Sequence, residues 1–391
     1  MKKITFPEFK ISIEGTPANV KWHRSISEIP VTEWNNMALK EPTPFLEWEW
    51  LRCLETSKSI DPSNGWYAIY LVIHKENEGI IAGSPFFLKS HSFGEFIYDH
   101  NIAHAAEKFG FEYYPKLVGM SPFTPGSRYS ILVKDESVLN TVCELVGNIL
   151  IDFCNMNEIF AAHLLHASEK ISNQFQQLGF QEWWHESYIW KNPGFNSFDD
   201  FLSTLTSKRR KNIRQERKKF ASSDCIFQIK TGNDITVEDL HQMHDFYVDT
   251  CSKFGMWGSK YLTRQFFVDI HASFAQRIVL ILASFKESPN SVIGQSIFIR
   301  KEDELFGRYW GSNTELDFLH FELCYYKPIE WAIENKLRNF DAGAGNKKHK
   351  IWRGFNSERN RSLHYFANKE FSGLAGEFIK SMNTYLELGE L

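Results

Sequence analysis

"WYAIYLVIHKENEGIIAGSPFFLKSHSFGEFIYD" at residues 66–99 and "RIVLILASFKESPNSVIGQSIFIRKEDELFGRYWG" at 277–311 read as the same object written twice. Each opens on a β-branched and aromatic run and breaks at a polar turn of Lys, Glu and Asn with Gly or Pro. Each then returns through a second apolar run into another turn. This is hairpin chemistry, so both stretches predict an antiparallel meander closing on an aromatic-rich strand. The segments downstream of each meander repeat too. Residues 137–157 have helical periodicity and lead to a strand at 159–167; residues 321–339 likewise lead to a strand at 340–344. In the first half a further helix ends at Gly179, a C′ position, before a strand through 190; the second half closes with 361–380. The copies separate near "KNPGFNSFDD" (191–200), whose Asn, Pro, Gly and Ser read as a linker. The expectation is an α+β chain of two domains, 1–194 and 195–391, each a mixed, mostly antiparallel sheet flanked by helices.

A length of 391 residues suits two domains better than one. With 43% hydrophobic and 24% charged residues the composition is that of a soluble globular protein. A net charge of −4 and a pI near 6.4 exclude a wholesale nucleic-acid binder, so any anion site has to be local. Cys53, Cys143, Cys154, Cys225, Cys251 and Cys324 are scattered without C-x-x-C or metal-like spacing. They read as reduced thiols of a cytoplasmic protein, and no metal site is expected. The start, "MKKITFPEFK", lacks the apolar core of a signal peptide. Apolar runs such as 278–285 have strand length, so no membrane span is expected.

Against that acidic background stands "SKRRKNIRQERKKF" (207–220), with eight Lys or Arg and one Glu. Asp199 or Ser203 would cap a helix over about 200–220. At 100° per residue Leu202, Leu205, Ile213 and Phe220 share one face, which also carries Arg209 and Glu216, while Arg210, Arg214 and Arg217 line its edge. A charge run is commonly a solvated face. Here, though, an Arg on the packed face needs an anionic partner, and Arg residues in register suit phosphate or carboxylate.

The helix, then "LGF", then strand at 176–190 resembles the ending of the GNAT acyltransferase fold. Two such copies in tandem resemble the Fem-type aminoacyl transferases of peptidoglycan synthesis, and more closely their FemAB-like relatives, described as N-acyltransferases. The stretches that carry the resemblance include PFLEWEWLRCLE (44–55), YYPKL (113–117), FDDFLSTLTSKRRKNIRQER (198–217), FGRYWGSN (306–313), LHFELCYYKPIEWAI (319–333) and HKIWRGF (349–355). The resemblance implies tandem GNAT-like domains, with an acyl-transfer cleft on the second copy bordered by the first. It also implies that the basic helix holds the phosphate part of a ligand, with Arg209, Arg210 and Arg214 as its carriers. A phosphorylated small molecule is the first candidate partner and charged tRNA the second. Acyl-CoA is the one cofactor considered. Neither copy shows the [R/Q]-x-x-G-x-[G/A] turn that grips its pyrophosphate, and that weakens a CoA donor.

Within the second copy, Arg308, Tyr309 and Trp310 place a cation and two rings at a strand end, where the cleft of a GNAT-like fold opens. His320 and Glu322, near a helix start, are candidates for the base that takes the amine proton. "GAGNKKHKIWRGF" (343–355) is no Walker A loop, but its glycines and basic residues suit an anion. Lys350 and Arg353 there are alternatives for the cation that meets an oxyanion, with His349 beside them. In the first copy His91, Glu95, Lys116 and Arg128 are polar residues in tight aromatic segments and form a reserve binding set. The competing reading is a non-catalytic recognition module on the same scaffold.

Overall fold

In the computed structural model, which describes residues 4–13, 15–126, 128–253 and 260–389, hairpin alternation gives paired strands in both halves. The chain divides into two units, Met1–His185 with Arg359–Leu391, and Glu186–Glu358.

The first unit begins with β1 (Phe9–Ile13), β2 (Thr16–His23), α1 (Val31–Ala38), α2 (Trp48–Thr56), β3 (Trp66–Lys75) and β4 (Gly79–Lys89). It continues through α3 (His100–Lys108), β5 (Lys116–Gly119), β6 (Leu132–Val133), α4 (Leu139–Met156), β7 (Ala161–Leu164), α5 (Glu169–Gln177) and the start of β8 (Gln181–Lys191). The second unit holds α6 (Phe198–Ser203), α7 (Ser207–Ala221), β9 (Cys225–Thr231), α8 (Val237–Lys253), α9 (Arg264–Phe274), β10 (Ile278–Phe285), β11 (Ser288–Lys301) and β12 (Glu304–Ser312). After these come α10 (Leu319–Phe321), a π-helical turn Glu322–Tyr326, α11 (Lys327–Glu334), β13 (Asn339–Asp341), α12 (Lys347–Trp352) and the start of β14 (Asn356–Phe366). α13 (Lys369–Leu388) returns to the first unit.

From β2 and from β9 onward the order is alike once α3 and the two-residue β6 of the first copy are set aside: strand, two helices, three strands, helix, strand, helix, strand. In both copies the fourth and fifth of these strands pair parallel, β5 with β7 and β12 with β13, among otherwise antiparallel neighbours. The class is α+β, one strand-and-helix arrangement present twice in tandem. Two expectations change. Residues 91–99 of the first meander form no strand; the third strand, β5, arrives only after α3. The halves also do not divide at 194. The far end of β8, Ile189–Lys191, pairs with β13 in the second unit. The far end of β14, Leu363–Phe366, pairs with β7 in the first, so 359–391 counts with the first unit.

Each unit has its own core. In the first, Val20, Leu71, Phe86 and Leu164 of the sheet pack against Val142, Val146 and Phe153 of α4. The segment Glu136–Met156 is long and apolar enough to cross a membrane, a property the strand-length reading missed, but half of that window is buried inside the protein. In the second, Ile281, Leu305 and Phe340 meet Leu323 and Ile329, with Ile213 and Phe220 the buried side chains of α7. The basic helix expected over 200–220 is two helices. The caps are Ser197, accepting from Asp200 N at 3.1 Å, and Thr206, accepting from Arg209 N at 3.4 Å, rather than Asp199 or Ser203.

The approach of α8 to β12 requires Gly311, since a β-carbon there would collide with the backbone of Phe246. Gly311→Ala is expected to cost about 1–3 kcal/mol. Gly373→Ala, in α13 with nothing within 4 Å of its would-be β-carbon, should instead stabilise by up to about 1 kcal/mol. Thermal melts of the two variants check the pair.

Candidate functional site

β13 ends at Asp341, three residue pairs into its parallel alignment with β12, while β12 runs on to Ser312. The two strands therefore part, and a cavity of about 250 Å³ lies where they do. Its walls come from β11 (Ser296–Phe298), from Gly307–Trp310 of β12, from His320, Cys324 and Tyr325, and from Ala342, Ala344, Asn346 and Lys350 beyond β13. In the first unit the matching place is taken: where β5 stops, Tyr129 bridges to Ala167 beyond β7, and its hydroxyl reaches Ser84 Oγ at 2.6 Å.

Lys350 is 3% exposed. Its ammonium donates to the carbonyls of Gly343 (2.8 Å) and Ala344 (2.9 Å) and lies 5.2 Å from the Tyr188 ring centre. Asp341, whose Oδ1 accepts from Gly343 N at 2.7 Å, holds that glycine turn in shape. Burial pushes the Lys350 amine down to about 8, with Asp341 opposing the shift. His320 packs against Trp310 at 4.4 Å between ring centres. Burial, then the charges of Arg353, His349 and Lys350, push it down to about 4, so the ring is neutral at pH 7. Arg308 Nη2 donates to the Tyr309 hydroxyl at 3.2 Å, and both line the cavity with Trp310.

Glu322, the alternative base, lines neither this cavity nor the second one below. Its Oε1 accepts from Arg217 Nε at 3.1 Å, and burial raises its carboxyl against the pull of that Arg. Arg217 also donates to Glu330 at 2.6 Å.

A second cavity of about 230 Å³ is lined by Arg209, Asn212, Ile213 and Glu216 of α7, Phe321, and Lys348, His349, Trp352 and Arg353. Arg353 belongs here and not with Lys350. The basic helix thus splits its charges. Arg209 lines the cavity, 5.9 Å from the Trp352 ring. Arg210 does not: it donates to the carbonyls of Ser203 (3.3 Å) and Leu205 (3.2 Å), tying down the end of α6. Arg214 is 59% exposed and pairs with Asp199. Arg210 and Arg214 thus meet the carbonyls at the end of α6 and the Asp199 carboxylate rather than the cavity.

The first-unit set is a buried ion cluster. Lys116 Nζ donates to Ser92 Oγ (2.7 Å), Glu95 Oε2 (2.7 Å) and Asp99 Oδ2 (2.5 Å), which uses all three of its hydrogens. His91 Nδ1 accepts from Phe93 N at 3.2 Å, so Nε2 donates to the carbonyl of Asn64 at 2.8 Å. Arg128 is half-buried, with φ +54°. From Asp99 a hydrogen-bonded chain runs through Tyr113, His163, His364 and Ser362 to His185. Among the described residues no group of His, Cys, Asp or Glu is placed to hold a metal ion.

Sequence reasoning missed Tyr188, Cys324, Phe321, Trp352 and Asn346. The resemblance had singled out the segments holding all but Asn346. Tyr188 meets Lys350 of α12 from β8, a long-range contact that no local pattern signals.

Burial pushes His163 down to about 3, and His320 to about 4. An unfolded chain would take up protons on both near pH 6.5. Stability is therefore expected to fall as pH drops from 6.5 toward 4, because the unfolded state binds more protons there. Thermal melts at pH 7 and 4.5 check this, with His163→Asn expected to lose less on acidification than the parent protein.

A family profile described as FemAB-like, peptidoglycan biosynthesis/recognition, matches residues 25–388. No protein of curated function matches the chain. Among solved structures it is similar to FemX (11% identity, TM-score 0.53, covering 88% of this chain and 98% of that one). It is also similar to the C-terminal domain of a putative lysylphosphatidylglycerol synthetase from Agrobacterium fabrum (11%, TM-score 0.51, 93% and 98%). A third likeness is to a conserved protein of unknown function from Bacteroides thetaiotaomicron (12%, TM-score 0.51, 86% and 97%). At these identities the likeness is one of fold.

Proposed function

The chain belongs to the FemAB-like family, and from that premise we propose that its second unit moves an acyl or aminoacyl group from an activated donor to an amine in the Lys350 cavity. The observation that carries the reading is the state of Lys350. Two of its three hydrogens are spent on the Gly343 and Ala344 carbonyls, and one is left for a ligand oxygen in the space where β12 and β13 part.

In the proposed reaction the amine nitrogen attacks the carbonyl of a tRNA ester or a thioester. The C–N bond forms, the C–O or C–S bond breaks, and its electron pair leaves on the tRNA hydroxyl oxygen or the thiol sulfur, which takes up the proton given up by the amine. Charge collects on the carbonyl oxygen in between, and a cation held in place beforehand stabilises it without reorganising at that moment. Lys350 takes that role. His320, neutral at pH 7, presents a ring nitrogen that accepts a hydrogen from the attacking amine. Arg308, Tyr309 and Trp310 shape the wall along which the acyl group lies. The second cavity, through Arg209, Arg353, Lys348 and His349, takes the phosphate part of a phosphorylated, cell-wall-precursor-like substrate. Glu322, Arg210 and Arg214 act in structure rather than on substrate, and the first unit, its matching place taken by Tyr129, holds no reaction of its own.

Incubating the purified protein with a mixture of charged tRNAs and a nucleotide-linked peptide amine tests this by loss of the ester and gain of the amide. Lys350→Ala is expected to lower transfer about a hundredfold or more, with the fold retained by circular dichroism, while Arg214→Ala transfers as the parent does. The ammonium is present below its proton affinity of about 8, so the parent rate should fall as pH rises through that value. Full activity in Lys350→Ala would place the chemistry elsewhere; no transfer by the parent from any charged tRNA or acyl thioester would make the scaffold a binding module.

A further inference from the structure

The second cavity already contains an anion, and it is the protein's own. Its rim carries Arg209, Lys348, His349 and Arg353, and among these stands one carboxylate, Glu216. Glu216 Oε2 accepts from Arg353 Nη2 at 2.8 Å and from the hydroxyl of Tyr326. Arg353 is 4% exposed, and its guanidinium lies 3.4 Å from the centre of the Phe321 ring, so its donors are confined to its edges. On one edge Nη1 donates to the carbonyl of His349 at 3.0 Å. On the other, the Nε and Nη2 pair forms the side-on fork that binds two oxygens of a carboxylate or phosphate together. Only half of that fork is used. Nε is sealed from solvent and has no acceptor among the described residues. A buried charged donor left without an acceptor is costly, so this edge favours any ligand that supplies two oxygens.

We propose that Glu216 is an internal stand-in for a ligand phosphate: it occupies the Nε/Nη2 edge of Arg353 through one oxygen, and a bound phosphate or diphosphate group displaces it and takes both donors. Glu216 meets the fork through Oε2 alone, an oxygen that also accepts from Tyr326. Displacement leaves the incoming oxyanion beside Arg209 and Lys348, and turns a neutral ion pair into a site with surplus positive charge. The two cavities are neighbours, since His320 and Lys350 line one while Phe321 and His349 line the other. A phosphate on Arg353 therefore belongs to a molecule whose reacting end lies next door. The inference rests on the phosphate-subsite part of the transfer reading and adds a built-in competitor to it.

Isothermal titration with pyrophosphate and with orthophosphate, on the full chain, tests it without needing transfer. Glu216→Gln keeps an oxygen for Arg353 and Tyr326 but removes the competing charge. It is expected to bind pyrophosphate about tenfold more tightly or better, a gain of about 1.4 kcal/mol. Arg353→Lys, which keeps charge but loses the fork, should weaken binding about tenfold and abolish that gain in the double variant. Pyrophosphate binding much tighter than orthophosphate would mark a diphosphate-bearing ligand; equal affinities would mark a single phosphate group. If Arg209→Ala weakens pyrophosphate binding while Glu216→Gln leaves it unchanged or weaker, the competitor inference is overturned and the subsite stands. If neither Arg209→Ala nor Arg353→Lys weakens it, the phosphate subsite falls, and the inference with it.

Discussion

An ammonium taken out of water needs oxygen partners at short range, and the loop after β13 supplies two for Lys350 from backbone alone. The supply depends on where β13 stops. Had it continued beside β12, its carbonyls would be spent on the sheet; because it ends at Asp341, the carbonyls of Gly343 and Ala344 turn toward the lysine. The positive charge still costs the fold something. Burial lowers the proton affinity of Lys350 from 10.5 to about 8, which corresponds to about 3 kcal/mol against the charged form at neutral pH. Since the shift is downward, this cost is felt in full below pH 8 and disappears as pH rises to 10.5, where neither state holds the proton. A side chain kept charged at such a cost beside an open cavity is poised to meet negative charge.

The neighbouring network does the opposite with its charges. Glu216, Arg353 and Tyr326 form one group, and Arg217, Glu322, Glu330 and Lys327 another. Together they staple α7 to the π-helical turn Glu322–Tyr326. A π turn is an energetically poor way to run a helix and recurs at functional sites. Here it carries Cys324 and Tyr325 into the wall of the Lys350 cavity while Glu322 and Tyr326 face the basic helix. Positions that looked equivalent in sequence therefore divide into wall and staple.

That division marks how far sequence reading reaches. The repeat of hairpin, helix and strand was legible because periodicity is local, and it carried the fold class and the placing of Gly179 at the end of α5. The boundary at 194 was not legible. Which strand β8 or β14 finally pairs with is a long-range choice that turn chemistry does not report. The basic segment shows the same limit at smaller scale: composition suggested an anion site near 207–220, and Arg209 does line a cavity. Thr206, one residue before the helix proper, caps it, so the segment is two helices rather than one. Lys350 and Arg353, three residues apart, could not be assigned to different cavities from spacing, because the other lining of each comes from residues distant in sequence, such as Ser296–Trp310 in one and Arg209–Glu216 in the other.

The chemistry proposed for the second unit stands on the buried, charged state of Lys350. Nitrogen-detected proton titration of the lysine side chains, with Lys350→Arg to assign the signal, measures it directly. A Lys350 amine titrating near 8, with its hydrogens protected from exchange, is the result predicted. A value near 10.4, that of a lysine in water, with rapid exchange, would contradict it.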